Sequence, residues 1–88
     1  MYYVYILKSK KDDMLYIGST NNLKRRFVEH NKGAVSSTVN RRPWVIVYYE
    51  AYKSEYDARH REHNLKLRSR ALAQLKKRIM SSVNSVLD

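Results

Sequence analysis

The sequence predicts an α+β domain, a three-stranded sheet with helices packed on it. Two apolar runs rich in aromatic and β-branched residues are separated by a short polar break, which is typical of a β-hairpin. A third such run lies in the middle of the chain, and apolar residues recur at helical spacing in the segments around it. The predicted order of elements is therefore β-β-α-β-α-α.

The hairpin is expected to join residues 2–7 to residues 14–18 through the polar residues 9–13. The third strand is expected over residues 44–52, where aromatic and β-branched residues favour extended backbone. This run is apolar almost throughout and does not alternate. We therefore expect it to be the central strand, with both faces covered.

The first helix is expected after the hairpin. Asn21 or Asn22 can cap its start, because a short side-chain carbonyl there accepts a hydrogen bond from a free backbone N–H. The helix should run to about Lys32 and end at Gly33, because glycine readily adopts the left-handed conformation of a helix C-cap.

Two helices are expected after the third strand. Ser54 followed by Asp57 resembles a capping box and opens a helix that runs to about Leu67. A last helix is indicated by apolar residues at helical spacing, namely Leu72, Leu75 and Ile79. The chain has 88 residues and no visible linker, so we expect one domain over residues 1–80 and a flexible tail over residues 81–88.

The charge of the chain predicts an anionic partner. Its net charge of +10 exceeds the roughly 2 to 8 that solubility asks of a small domain. Nucleic acid is the commonest such partner, although an anionic membrane surface or an acidic protein would account for the same charge. No apolar stretch reaches the roughly 20 residues needed to span a bilayer, and the absence of Cys excludes disulfides and thiolate metal sites. We expect a cytoplasmic protein.

Two tyrosines of the hairpin are candidates for a functional site. Alternation along the strands places Tyr5 and Tyr16 each on one definite face of the sheet, so they could meet across the strands. Aromatic cross-strand pairs also stabilise sheets without any chemical role. Because the chain contains eight Tyr, position alone leaves both interpretations open.

A polar stripe follows the first helix at steps of four residues: Asn22, Arg26 and His30. Such a stripe is usually a solvated helix face. The alternative is a guanidinium held over a phosphate, with His30 nearby as a proton carrier.

Glu62 lies on the side of the second helix that otherwise looks apolar, four residues after Ala58 and three before Leu65. A buried carboxylate must be paired, protonated or bound to a cation, because desolvating an isolated charge costs several kcal/mol. An ion pair with an arginine and a metal site both meet this requirement. Zinc is disfavoured, because His60 and His63 flank Glu62 without an HExxH pattern.

Together these residues resemble the GIY-YIG nuclease superfamily over about residues 2–80. The matching elements, in chain order, are Tyr3-Val4-Tyr5, Tyr16-Ile17-Gly18, Arg26, His30 and Glu62. Residues 18–23 and 41–44 resemble the small single-domain bacterial branch, which is related to the nuclease domains of excision repair and junction cleavage.

The resemblance implies three antiparallel strands flanked by helices, and an endonuclease that hydrolyses phosphodiester bonds with one divalent ion, Mg²⁺ or Mn²⁺. Its substrate would be nucleic acid, with DNA favoured, in repair, junction processing or related DNA metabolism. By position, Glu62 would be the metal ligand, Arg26 the phosphate-stabilising group, and Tyr5 and Tyr16 the residues around the attacking water. His30 stands where relatives have His or Tyr.

Two positions depart from the family pattern. Tyr3 stands where the first signature begins with Gly, and Ser19 stands where the repair branch carries Lys, which removes one positive charge from the site. We take Tyr5 as the general base, which requires the metal and Arg26 to lower its pKa, with Tyr16 or His30 as substitutes. Backbone phosphates are expected to contact the basic residues Lys24, Arg25, Lys32, Arg41 and Arg42.

Fold and activity are separable properties of a protein. A nucleic-acid-binding module that kept the fold and lost cleavage is therefore the alternative function. The sequence does not decide between DNA and RNA, and it leaves the oligomeric state open.

Overall fold

The computed structural model describes residues 1–67 and 69–84. In that part of the chain it confirms the predicted α+β class and the order of the elements. The elements are β1 (Tyr2–Ser9), β2 (Leu15–Thr20), α1 (Leu23–Lys32), a 3₁₀ turn (Val39–Arg41), β3 (Trp44–Tyr52), α2 (Glu55–Leu67), α3 (Ser69–Arg78) and α4 (Met80–Val83).

The C-terminal part of the chain differs in detail from the expected helix and tail. The last predicted helix is divided at Ile79 into α3 and the short helix α4. Residues 81–83 of the expected tail belong to α4, and residues 85–88 lie outside the described residues. The flexibility expected for that tail stays a prediction.

The three strands form an antiparallel sheet in the order β2-β1-β3. The expectation that the third strand is central was wrong, because β1 is central and β3 lies at an edge. The register shifts by one residue between Ile6 and Leu7, which pair with Tyr48 and Ile46, so Val47 is an additional residue in β3. Side chains of β3 pack into both cores, Val47 and Tyr48 into one and Trp44 and Ile46 into the other, which explains the continuous apolar sequence of this edge strand.

Each face of the sheet carries its own apolar core. One face packs against α2 and α3 through Val4, Ile6, Ile17, Ala58, Leu65 and Leu75. The other face lies under α1 and is built from Tyr5, Leu7 and Trp44, with Tyr16, Leu23, Phe27 and Ile46 packed around them. Alternation along β1 therefore sends successive side chains to different helices, and Tyr5 belongs to the face covered by α1.

Both ends of α1 confirm the predicted caps. The Asn22 side-chain oxygen accepts a hydrogen bond from the backbone N–H of Arg25 at 3.0 Å. Gly33 closes the helix at a φ of 83°, in the left-handed region that favours glycine. The Ser54 hydroxyl likewise accepts from the N–H of Asp57, at 3.3 Å, at the start of α2. These caps define both ends of α1 and the start of α2, the two helices that carry most of the candidate residues.

A largely buried carboxylate on β3, which the sequence did not indicate, attaches the sheet to α2. Glu50 accepts hydrogen bonds from Arg61 at 2.9 and 3.0 Å, and from the phenols of Tyr48 and Tyr52. Burial would raise the pKa of Glu50, but these hydrogen bonds outweigh burial and hold the pKa below its ordinary value of 4.5. Because Arg61 directly precedes Glu62, this network also fixes how α2 presents Glu62.

The Glu50 network predicts a specific dependence of stability on pH. A lowered pKa means that the stabilisation is fully present above pH 4.5 and is lost as the pH falls through the folded-state value. We expect Glu50→Gln to lower the free energy of unfolding by about 2 kcal/mol at neutral pH, and by much less in acid, where the wild-type carboxylate is itself protonated. Urea unfolding at both pH values measures this difference.

The matched control is Glu55→Gln, which breaks an exposed pair with Arg59 and should change stability by no more than about 0.5 kcal/mol. A loss in Glu50→Gln that stays the same at neutral and acid pH would contradict the assignment.

Candidate functional site

The geometry of the candidate site begins with a close approach across β1 and β2. The register places Tyr5 opposite Gly18. A Cβ atom at position 18 would lie 2.5 Å from the Tyr5 hydroxyl oxygen and 2.6 Å from the adjoining ring carbon. The tyrosine ring therefore occupies the space that any other side chain would need, which gives the glycine of the second signature a steric role.

Beyond Gly18, the Tyr5 hydroxyl reaches α1 and forms a buried hydrogen-bonded chain. Its oxygen lies 2.8 Å from Nε2 of His30, and Nδ1 of His30 lies 2.8 Å from the Thr38 hydroxyl. Thr38 in turn donates to the backbone carbonyl of Val35 at 3.3 Å. On the basis of that donation we assign the His30 proton to Nδ1, which donates to the Thr38 oxygen, so that Nε2 accepts the phenolic proton of Tyr5.

Burial sets the protonation of this chain. It raises the pKa of Tyr5 to about 12, an effect that the nearby Arg26 guanidinium counters in part and that Tyr16 and Glu62 reinforce. Burial, followed by the charge of Arg26, lowers the pKa of His30 below its ordinary value of 6.5. At neutral pH Tyr5 is therefore a phenol and His30 a neutral imidazole.

The second signature tyrosine meets the first at His30. Tyr16 pairs with Leu7, so the two tyrosines are diagonal neighbours and not direct cross-strand partners. The ring centroids of Tyr5 and Tyr16 lie 5.7 and 5.2 Å from that of His30, in edge-on contacts. Tyr16 is only half-buried, whereas the Tyr5 side chain is almost fully buried.

Glu62 lies at the outer edge of β2, where it has two polar partners. The Ser19 hydroxyl donates to one carboxylate oxygen at 2.7 Å, and the Lys66 ammonium lies 2.8 Å from the other. The expected arginine partner is therefore a lysine. The ammonium also lies 5.9 Å from the ring centroid of Tyr16, so it connects the carboxylate to the tyrosine. Lys66 thus supplies a positive charge at a site where Ser19 replaces the lysine of the repair branch.

Arg26 lies on the α1 side of the site. Its guanidinium pairs with Glu29 at 3.0 Å and is about one third exposed. It also borders an open cavity of about 280 Å³ between α1, the end of β2 and the start of α2. The cavity is lined by Tyr2, Ser19, Thr20, Asn21, Arg25, Arg26, Glu55, Ala58 and Arg59.

The structure therefore brings the candidate residues together to different degrees. Tyr5, Tyr16 and His30 are in direct contact, and Arg26 acts electrostatically on both Tyr5 and His30. Glu62 reaches this group through Ser19 and Lys66, and Ser19 borders the cavity that Arg26 also lines. Tyr5, Tyr16 and Glu62 do not themselves line that cavity, so the candidate residues do not all share one hollow.

The residues expected to contact phosphate are mostly exposed. Lys24, Lys32 and Arg42 are exposed, and Arg25 is exposed while paired loosely with Glu29. Arg41 differs, since it pairs with Asp12 at 2.9 Å and lies over the Trp44 ring at 5.3 Å. Its internal contacts leave Arg41 less available to a ligand than the other four.

Thr38, Ser19 and Lys66 are site residues that sequence reasoning did not propose. Thr38 lies in the loop after α1, where no periodicity relates it to His30. Lys66 follows Glu62 by four positions on α2, a spacing that predicts an ion pair on a helix face. That spacing is the sequence feature that could have indicated Lys66. No spacing indicates the contact of Ser19 with Glu62 or that of Thr38 with His30, which form only when the chain folds.

The donor atoms around Glu62 can be tested against a divalent ion. Within residues 1–67 and 69–84 there is no group of three or more His, Cys, Asp or Glu that could hold a metal, as a zinc site would need. Magnesium and manganese need fewer protein ligands, because water and substrate phosphates complete their shells. The Glu62 carboxylate and the Ser19 hydroxyl are hard oxygen donors of that kind, and the carboxylate already attracts a cation, Lys66.

Helices long and apolar enough to cross a membrane are absent from the described part of the chain.

Comparison with known proteins agrees with this geometry. A family model described as the GIY-YIG catalytic domain matches residues 1–78. A UPF0213 protein of Staphylococcus haemolyticus is 44% identical over 70 residues, which covers 78% of this chain and 84% of the relative. A UPF0213 protein of Clostridium perfringens is 45% identical over 67 residues, covering 75% of this chain and 71% of the relative.

A solved structure is also similar. The solution NMR structure of a UPF0213 protein from Bacillus halodurans is 29% identical, and the match covers 99% of this chain and 98% of that one with a TM-score of 0.54. Sequence and structure thus agree over nearly the whole length, and the chain belongs to the GIY-YIG domain family.

Proposed function

We propose that this protein is a metal-dependent endonuclease that hydrolyses phosphodiester bonds in nucleic acid, with DNA as the favoured substrate and repair or junction processing as the setting. The observation that carries the proposal is the contact of both signature tyrosines with a neutral His30, beside the cation Arg26. Membership of a nuclease family and the net charge of +10 support the same function.

The two sides of the site divide the work. Glu62 and the Ser19 hydroxyl would hold one Mg²⁺ or Mn²⁺ ion, which when bound supplies positive charge to the phosphate and makes a water more acidic. From the other side, Arg26 donates hydrogen bonds to phosphate oxygens and stabilises the negative charge that grows in the transition state. A permanently charged guanidinium suits this task because it donates hydrogen bonds without giving up its proton, so its charge persists.

The buried chain of Tyr5, His30 and Thr38 supplies the base. Because its pKa is about 12, Tyr5 keeps its proton at neutral pH and cannot act as a base without a partner that accepts this proton. It can take a proton from the attacking water while it passes its phenolic proton to Nε2 of His30, 2.8 Å away. His30 becomes an imidazolium, and its other proton stays on Nδ1 and donates a hydrogen bond to the Thr38 hydroxyl oxygen. The half-buried Tyr16 orients the water.

The first test concerns cleavage. We expect Glu62→Gln and Arg26→Met each to lower the cleavage rate by about a hundred- to a thousandfold, because each removes a group that stabilises the transition state. Cleavage of plasmid, branched and single-stranded DNA is measured with Mg²⁺, with Mn²⁺ and with a chelator.

Asp57→Asn, an exposed acidic residue on the same helix as Glu62, is the matched control and should cut normally. If the wild type binds these substrates but leaves all of them uncut with either metal, the protein is a non-catalytic nucleic-acid-binding module.

The second test concerns pH. The lowered pKa of His30 means that the imidazole is neutral, and able to accept a proton, above that value. The cleavage rate should therefore fall as the pH decreases through a value below 6.5. We expect His30→Gln to remove this dependence and to lower the rate at neutral pH roughly a hundredfold.

Thr38→Val removes the hydroxyl that holds the His30 proton on Nδ1, so it should also lower the rate while the fold persists. His60→Gln is the control, because His60 is exposed on α2. A pH profile that is unchanged in His30→Gln would contradict the assignment of the base.

A further inference from the structure

We propose that a groove beside the hydrolytic site stacks one unpaired nucleobase of the bound strand on Tyr49 and Tyr3. This inference rests on the proposed function, because it assigns part of the substrate of the same site. The two tyrosines lie on the α1 face of the sheet with ring centroids 6.1 Å apart at 63°, an edge-on pair. The groove between this pair and α1 is lined by Tyr3, Asn21, Asn22, Leu23, Lys24, Phe27, Ile46 and Tyr49.

Packing in the apolar core does not account for the exposure of the Tyr3–Tyr49 pair. Tyr49 pairs in register with the buried Tyr5, yet 55% of its own surface is open to solvent. Tyr3 is half-buried, and its ring contacts Tyr49 edge-on and also lines the groove. Together the rings form an accessible aromatic wall of the kind on which bases stack.

The polar residues of the groove favour a nucleotide over an apolar peptide. Lys24 is an exposed cation at the rim, and Asn21 and Asn22 supply exposed side-chain amides. Aromatic and apolar walls beside a cation match a base with its own phosphate, because every base has a stacking face and every nucleotide carries a negative charge. In a duplex the base faces are already stacked, so the groove suits an unpaired base.

The groove lies next to the cavity of the proposed site of hydrolysis. Asn21 lines both the groove and the cavity that contains Arg26 and Ser19. Between them lies the first turn of α1, which contains no acidic residue and presents Lys24 and Arg25. A strand whose phosphate lies at Arg26 can therefore pass the basic start of α1 and place a neighbouring base against Tyr49.

The test uses short single-stranded DNA and RNA oligonucleotides that contain 2-aminopurine, whose fluorescence is quenched by stacking. The protein carries Glu62→Gln so that no strand is cut. We expect quenching on binding, and we expect Tyr49→Ala to abolish it and to weaken single-strand binding roughly tenfold. Binding of a blunt duplex should change little. Tyr49→Phe keeps the aromatic face and should behave like the parent.

Tyr56→Ala is the matched control, because Tyr56 is 74% exposed on α2, which packs on the face of the sheet opposite the groove. Tyr3→Leu serves as a second variant if Tyr49→Ala fails to fold, and it should also reduce quenching. Equal binding of single strands by Tyr49→Ala and its parent, or equal losses for single strands and duplex, would overturn the subsite.

The subsite and the proposed function can fail separately. If quenching depends on Tyr49 and the wild-type protein cuts no substrate, the subsite is supported and the nuclease function is refuted. Cleavage that depends on Glu62 without any such quenching would refute the subsite alone. The quenching and affinity measured with DNA and with RNA oligonucleotides show which of the two the groove prefers.

Discussion

The close approach of Tyr5 to Gly18 is the constraint on which the site depends. Because position 18 has no side chain, the Tyr5 ring can lie across the edge strand, and its hydroxyl reaches His30 on α1. That contact ties the helix to the sheet and brings Arg26, one turn earlier, beside the phenol. The absence of a side chain at position 18 thus determines where Tyr5, His30 and Arg26 come together.

The next residue along β2 connects the other half of the site. Successive residues of a strand point to opposite faces, so Ser19 points away from α1 and binds Glu62 on α2. Because β2 is an edge strand, a long side chain can pass around it from one face of the sheet to the other. Lys66 extends around that edge to Tyr16. The edge position of β2 therefore lets residues from both layers of the domain approach each other.

Features that depend on neighbouring residues could be predicted from the sequence. The hairpin, the Asn22 and Gly33 caps and the α+β class follow from local spacing and capping chemistry. Strand order could not be predicted. The sequence of β3 is apolar on both faces and therefore resembles a central strand, although β3 lies at an edge and contains an extra residue at Val47. The candidate residues were found through a family signature, but the contacts of Ser19 with Glu62 and of Thr38 with His30 arise only when the chain folds, and no spacing in the sequence indicates them.

The central claim is that Glu62, at the edge of β2, holds a divalent ion next to the tyrosine and arginine groups. Paramagnetic broadening by Mn²⁺ of the backbone amide signals of isotopically labelled protein tests it most directly. The account predicts that broadening at low Mn²⁺ is strongest around Ser19 and Glu62 and disappears in Glu62→Gln. Broadening centred on another acidic residue, or unchanged in Glu62→Gln, would contradict it.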